Sequence, residues 1–156
     1  MSGLEPPVIR PAAETPHLAT VAAWLHAAWW AADGWTLAAV RAELAVAAGP
    51  AAPIAFVAEV AGEPLGTATL DVDDLPSRPD LSPWLASVWV APAARGLGLA
   101  TALACHVEAR AAALGHGKLH LFTPDRAAFY ARRGWRVLGA ERWRDVPVTL
   151  MAKCLG

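Results

Sequence analysis

The sequence has little cysteine, one tyrosine and almost no net charge. Its two cysteines, Cys105 and Cys154, show no paired spacing. That excludes a disulfide framework or a zinc ribbon, and a reduced, cytoplasmic setting is expected. Thirteen Lys and Arg nearly balance fourteen Asp and Glu, for a formal net charge of −1. Such a balance gives no field that would gather nucleic acid, so an anionic ligand must be held by local groups. No apolar run of about eighteen residues is uninterrupted, because Ala19–Ala32 contains His26 and stops at Asp33, and no membrane span is expected. The opening "MSGLEPPVIRP" carries Glu5 and prolines and does not resemble a signal peptide.

What remains is a chain built to pack. It is 56% hydrophobic and 17% charged, a composition that folds. Alanine lets elements approach closely, and eight tryptophans supply the bulk that alanine lacks. A length of 156 residues suits one domain over 1–156.

Pro7–Arg10 reads as a first strand. Thr15 and Pro16 then form a helix start, followed by Leu18, Val21, Leu25 and Trp29 at helical spacing. A second helix is predicted from Thr36 on a Leu37, Val40, Leu44 stripe, ending before Gly49–Pro50. "PIAFVAEV" and "PLGTATLDV" read as a hairpin turning at Ala61–Pro64, and a polar, Pro-rich loop follows. "WLASVWV" is a nearly continuous apolar strand of the kind buried on both faces. A helix over Leu99–Leu114 closed by Gly115, the strand "KLHLF", a short helix capped by Thr123 and closed by Gly134, and two final strands complete an α/β order.

Chemistry enters between Val90 and Leu99. Gly96 and Gly98 bare the main chain where a helix begins, its first N–H groups have no partner, and Arg95 adds charge, so the stretch suits a phosphate or diphosphate. No Lys follows as a P-loop requires, and the third glycine of the dinucleotide fingerprint is missing near Thr101. Arg95-Gly96-Leu97-Gly98-Leu99-Ala100 fits R/Q-x-x-G-x-G/A, which resembles the acetyl-CoA-binding motif of the GNAT superfamily of N-acetyltransferases. "WLASVWVAP" resembles that family's fourth strand. "LFTPDRAAFYARRGW" resembles its fifth strand and fourth helix, so the likeness covers Trp84–Trp135, about a third of the chain.

The resemblance implies a single-domain α/β (α+β) fold with a central, mixed, mostly antiparallel sheet. Its fourth and fifth strands splay apart, and helices cover both faces. It implies acetyl-CoA as cosubstrate and no metal. Val88, Trp89 and Val90 would pair with the pantetheine arm and polarise the acetyl carbonyl. Arg95, Gly96, Leu97, Gly98, Leu99, Ala100 and Thr101 would hold the diphosphate, with Thr123 also touching the coenzyme. Tyr130 falls where the family places a general acid. Without the family pattern, an aromatic packed in the core beside Phe129 is the better reading of the position. Many members carry Asn where this chain has Thr123.

For the base, Glu59 is the candidate, with Asp71 and Asp73 as further carboxylates and a water chain as the alternative. The acceptor, a small-molecule or peptide amine, is expected against the first two helices and the loop after the third strand. Trp30, Trp35, Asp71 and Asp73 are the candidate contacts there, in a cluster that includes Asp74, while Trp24 and Trp29 fall at core spacing. His116 and His120 flank glycine and do not align as metal ligands, and Cys105 is read as packed. Arg132 and Arg133 complement a helix C-terminus or meet the coenzyme's 3′-phosphate. A monomer or homodimer fits, without nucleic acid or membrane. The competing reading is an acyl-CoA sensor of the same fold without acceptor chemistry; an unrelated nucleotide-binding α/β protein fits the glycine pattern less well.

Overall fold

The computed structural model describes residues 5–46 and 52–156. The strands are β1 (Val8–Pro11), β2 (Ile54–Val60), β3 (Glu63–Asp71), β4 (Trp84–Val90), β5 (Lys118–Thr123), β6 (Arg136–Trp143) and β7 (Val146–Cys154). The helices are α1 (Leu18–Ala28), α2 (Leu37–Val46), α3 (Leu99–Ala113) and α4 (Ala127–Ala131). One seven-stranded sheet runs β1-β2-β3-β4-β5-β7-β6, and only β4–β5 is parallel. The expected α/β fold with a mixed, mostly antiparallel sheet is therefore present.

Side chains of β2 alternate across the sheet, as a strand's two-residue period requires. Ile54, Phe56 and Ala58 face a core shared with Leu99, Leu103, Val107 and Ala111 of α3. Ala55 and Val57 face a second core with Val21 and Leu25 of α1 and Val40 and Leu44 of α2. Helices thus cover both faces, and every residue of β2 is buried. Small residues set the spacing: a Cβ at Gly66 would lie 3.1 Å from the Leu103 side chain, so α3 sits close on β3. Each fully buried Leu or Val contributes about 1.5–3 kcal/mol relative to exposure.

Several boundaries differ from expectation. Thr15 does not cap α1. Its Oγ1 accepts the His17 N–H at 3.1 Å and donates to Ala12 O at 2.8 Å, making a local turn that delays the helix to Leu18. Thr36 does cap α2, accepting the Ala39 N–H at 3.1 Å, but Leu37 of the expected stripe is 45% exposed. The expected end of that helix before Gly49–Pro50 lies outside the described residues. Ala61 and Gly62, both at positive φ, make the tight turn between β2 and β3. Cys105 is exposed rather than packed, because it lies off the face of α3 formed by Leu99, Leu103 and Val107. Among the described residues no helix is long and apolar enough to cross a membrane.

Candidate active site

The site begins with an interruption in β4. Thr69 pairs with Ala86 and Thr67 with Trp89, so Ser87 and Val88 together oppose Ala68, and Ser87 takes φ 55°. Such a bulge bends the strand and re-aims the residues beside it. On its other side β4 meets β5 in register only at Trp84–His120, where the His120 N–H also donates to Pro83 O at 3.0 Å. Past that point the strands part, and the Ser87–Trp89 segment is half-exposed in the middle of the sheet.

Beyond β4, Pro92–Ala94 makes a single 3-10 turn, and the chain enters α3 through Gly96 at φ 79° and Gly98 at φ 86°. Both values lie in the left-handed region, which glycine reaches without steric cost. A Cβ built at either position meets nothing within 4 Å, so the space over the loop is open. The first helix amide to find a carbonyl is Ala102, on Gly98 O at 3.0 Å. The N–H groups of Gly98 to Thr101 are therefore left as donors at the positive end of a fifteen-residue helix.

Two clefts meet at this place. One, about 470 Å³, is lined by Val88–Val90, Ala94–Gly96, Gly98–Thr101, Arg126, Phe129, Tyr130 and Arg133. The other, about 430 Å³, is lined by Trp29, Trp30, Asp74, Leu85–Val88, Leu121–Arg126, Tyr130, Trp143 and Arg144. They share Val88, Arg126 and Tyr130, so a ligand in each would meet at the phenol.

Tyr130 is buried between two aromatic rings. Phe129 and Trp135 meet its ring edge-on, with centroids 5.0 and 6.0 Å away, and the residue is only 8% exposed. Burial pushes its hydroxyl pKa up to about 12, so the phenol stays protonated through neutral pH. The side chain thus holds a proton at the junction of the clefts. Arg133, expected at the helix C-terminus or the coenzyme, stands over the Phe129 ring at 3.6 Å. It donates from Nε to Thr101 Oγ1 and from Nη1 to Phe129 O, both at 2.8 Å. Arg95 folds back to give its Nε–H to Val90 O at 2.8 Å, which fixes the turn out of β4.

Most of the predicted coenzyme contacts line the first cleft; two do not. Leu97 is 52% exposed and lines neither cleft. Thr123 lines the second cleft instead and is not the expected cap of α4. Its Oγ1 accepts the Arg126 N–H at 2.9 Å in a turn before the helix, which starts at Ala127 with Arg126 at its N-cap and no side-chain cap. On the acceptor side Trp30 lines the second cleft, whereas Trp35 packs on Trp30 at 4.9 Å and lies outside it. Trp29, read as core, faces the cleft as well, while Trp24 stacks on Trp89 at 4.9 Å.

The carboxylates sort differently from expectation. Glu59 is not placed to act as the base. It lines neither cleft, and Arg10 at 2.7 Å and His17 at 2.9 Å hold its oxygens. Arg10 above all keeps its carboxyl below the usual range, the opposite of what a proton acceptor near neutrality needs. Asp71 and Asp73 also lie outside the clefts, and Asp71 Oδ1 accepts the Val72 N–H at 2.8 Å. Asp74, the third of that cluster, is the one that faces in. Burial, then the charge of Asp71, pushes it up to about 7. Phe122, Arg126, Trp143 and Arg144 were missed altogether. Among the described residues no cluster of three or more His, Cys, Asp or Glu is placed to hold a metal.

A bulged strand, a parting neighbour and a glycine-lined helix start leave an open main-chain cradle at the centre of a mixed α/β sheet. The Acetyltransferase (GNAT) family model matches residues 16–135, and the chain belongs to this family. A solved GCN5-related N-acetyltransferase from Rhodopseudomonas palustris is 23% identical, with 99% of each chain covered and a TM-score of 0.73. An aminoglycoside 6′-N-acetyltransferase complexed with coenzyme A is 18% identical over 94% of this chain and 96% of that one, with a TM-score of 0.70. A GNAT acetyltransferase from Streptococcus pneumoniae is 20% identical over 97% and 100%, with a TM-score of 0.71. At these identities the likeness speaks for the fold. No curated protein matches the sequence.

Proposed function

We propose that the protein is an acetyl-CoA-dependent N-acetyltransferase that passes the acetyl group directly to a primary amine bound beside it, with residues 1–156 acting as one domain. The observation that carries this reading is the meeting of two clefts at one buried, protonated phenol. Acetyl-CoA supplies the acetyl group as an activated thioester. The free N–H groups of Gly98–Thr101, with Arg133 beside them, suit its diphosphate without any compensating net charge on the protein. Main-chain groups of Val88, Trp89 and Val90, which β5 leaves unpaired, suit the amides of the pantetheine arm as an added strand would. An N–H of that same segment serves as donor to the acetyl carbonyl.

Tyr130 donates the proton that the departing sulfur needs, and its raised pKa keeps that proton in place until charge develops. The second cleft takes the amine, supplied by a small molecule or a peptide. The test is release of free thiol from acetyl-CoA on addition of primary amines. Amine-dependent release is expected. Saturable coenzyme binding with no release for any amine makes the protein an acyl-CoA sensor instead.

A further inference from the structure

We propose that Asp74 is the proton acceptor for the incoming amine, in a subsite whose aromatic wall selects a compact, singly charged arylalkylamine. This rests on the acetyltransferase reading of the same site.

Two carboxylates line the acceptor cleft, Asp74 and Asp125, and of these Asp74 is half-buried while Asp125 is exposed to solvent. Glu59 is held by Arg10 and His17, and Asp71 accepts the Val72 N–H. Burial, then the charge of Asp71, raises the pKa of Asp74, and among the described residues no side-chain hydrogen bond or ion pair is made to its carboxylate. It shares the second cleft with Tyr130 and Val88. Asp71 on its own loop is the charge that acts on it, and the other titratable groups lining the cleft are Asp125 and Arg126 after β5, Tyr130 on α4, and Arg144 between β6 and β7. Arg144 is paired with Asp33 and stacks on Trp143 at 4.1 Å, so its charge is already met.

The rest of the wall says what carries the amine. Trp29, Trp30, Phe122 and Trp143 line the cleft, and the last two meet at 5.6 Å. Aromatic faces favour one cation and an apolar ring. A polycation would bring further ammonium groups against Arg126, with the exposed Asp125 as the one other carboxylate lining the cleft. A volume of about 430 Å³ suits a compact ligand.

The chemistry balances as follows. Asp74 takes one proton from the ammonium, leaving a neutral amine. The C–N bond forms at the acetyl carbon and the C–S bond breaks. Tyr130 gives its proton to the sulfur and recovers one from the new amide nitrogen. The proton on Asp74 leaves to solvent through the cleft mouth.

The experiment compares phenethylamine, n-butylamine, an aminoglycoside and a lysine peptide by thiol release, with acetyl-CoA affinity measured by calorimetry. Phenethylamine is expected to exceed the other three by about tenfold or more in kcat/KM. Asp74→Asn should lower kcat by about 10²–10³-fold with coenzyme affinity unchanged, Asp74→Glu should recover part of it, and Asp73→Asn should behave as wild type. The wild-type kcat should rise with pH through about 7, since the acceptor works only when ionised, and that limb should vanish in Asp74→Asn. Preference for the aminoglycoside or peptide, or a wild-type kcat in Asp74→Asn, overturns the proposal and leaves the transferase reading standing. Thiol release from no amine at all fails the transferase reading and takes this proposal with it. Should Asp74→Asn not fold, the amine preference and the wild-type pH limb decide, and absence of either sinks the proposal.

Discussion

The two clefts that meet at Tyr130 are built from different materials. The first is walled chiefly by runs of neighbouring residues, Val88–Val90, Ala94–Gly96 and Gly98–Thr101, and its chemistry is that of the main chain. The second is walled by side chains from separate segments, around Trp29, Asp74, Leu85, Phe122 and Trp143. A backbone cradle depends on conformation, which a few glycines can secure. A side-chain pocket depends on which distant segments the topology brings together. The first is expected to tolerate side-chain change except at its glycines and to bind one fixed ligand. The second is expected to vary, and under the proposed function the choice of acceptor would be made there.

The sharpest way to break this comparison is at the shared residue. Tyr130→Phe is expected to lower kcat by about 10²–10⁴-fold while acetyl-CoA affinity, read by calorimetry, changes little. Wild-type turnover in that variant removes the phenol from the mechanism.

A smaller effect sharpens the contrast between Glu59 and Asp74. Arg10 and His17 depress the pKa of Glu59, so its ionised form contributes stability above the usual carboxylate range, and that contribution fades as pH falls through its lowered pKa. Glu59→Gln should lower Tm at pH 7, with a difference that shrinks in acid, and leave kcat unchanged below the melting range. A large kcat loss in the folded variant would return Glu59 to the site.

Asp74 has the opposite sign. Its folded-state pKa, about 7, lies above the ordinary value of 3.8, so the fold prefers the protonated form and stability falls as pH rises between those values. Asp74→Asn should raise Tm modestly at pH 8 and not at all below about pH 4, a stabilisation that accompanies loss of function. A lower Tm at pH 8 would mean that the ionised carboxylate is a structural partner.

The same contrast explains what was legible in the sequence. The element order, the β2–β3 hairpin and the span of α3 followed from period, caps and glycines, because each is settled within a few residues. Arg95-Gly96-Leu97-Gly98 and Tyr130 were legible for the same reason: the loop and the short helix carry local patterns. The start of α1 was misplaced because Thr15 satisfied its hydrogen bonds in a turn rather than at the helix. Trp143 and Arg144 carried no signal, since only the insertion of β7 between β5 and β6 places their turn beside the acceptor cleft. Glu59 and Asp74 look alike in sequence. What separates them is Arg10, nearly fifty residues from Glu59 and brought alongside by the pairing of β1 with β2.

The central claim is that bare amides between Gly96 and Thr101 grip the diphosphate of coenzyme A. The direct measurement is calorimetric titration of acetyl-CoA into the wild type and into Gly98→Val, a substitution strained by φ 86° that also fills the open space above the loop. Saturable one-to-one binding in the wild type, weakened by about tenfold or more in the folded variant, is the predicted result. Equal affinity in the two, or no heat of binding in the wild type, would contradict it.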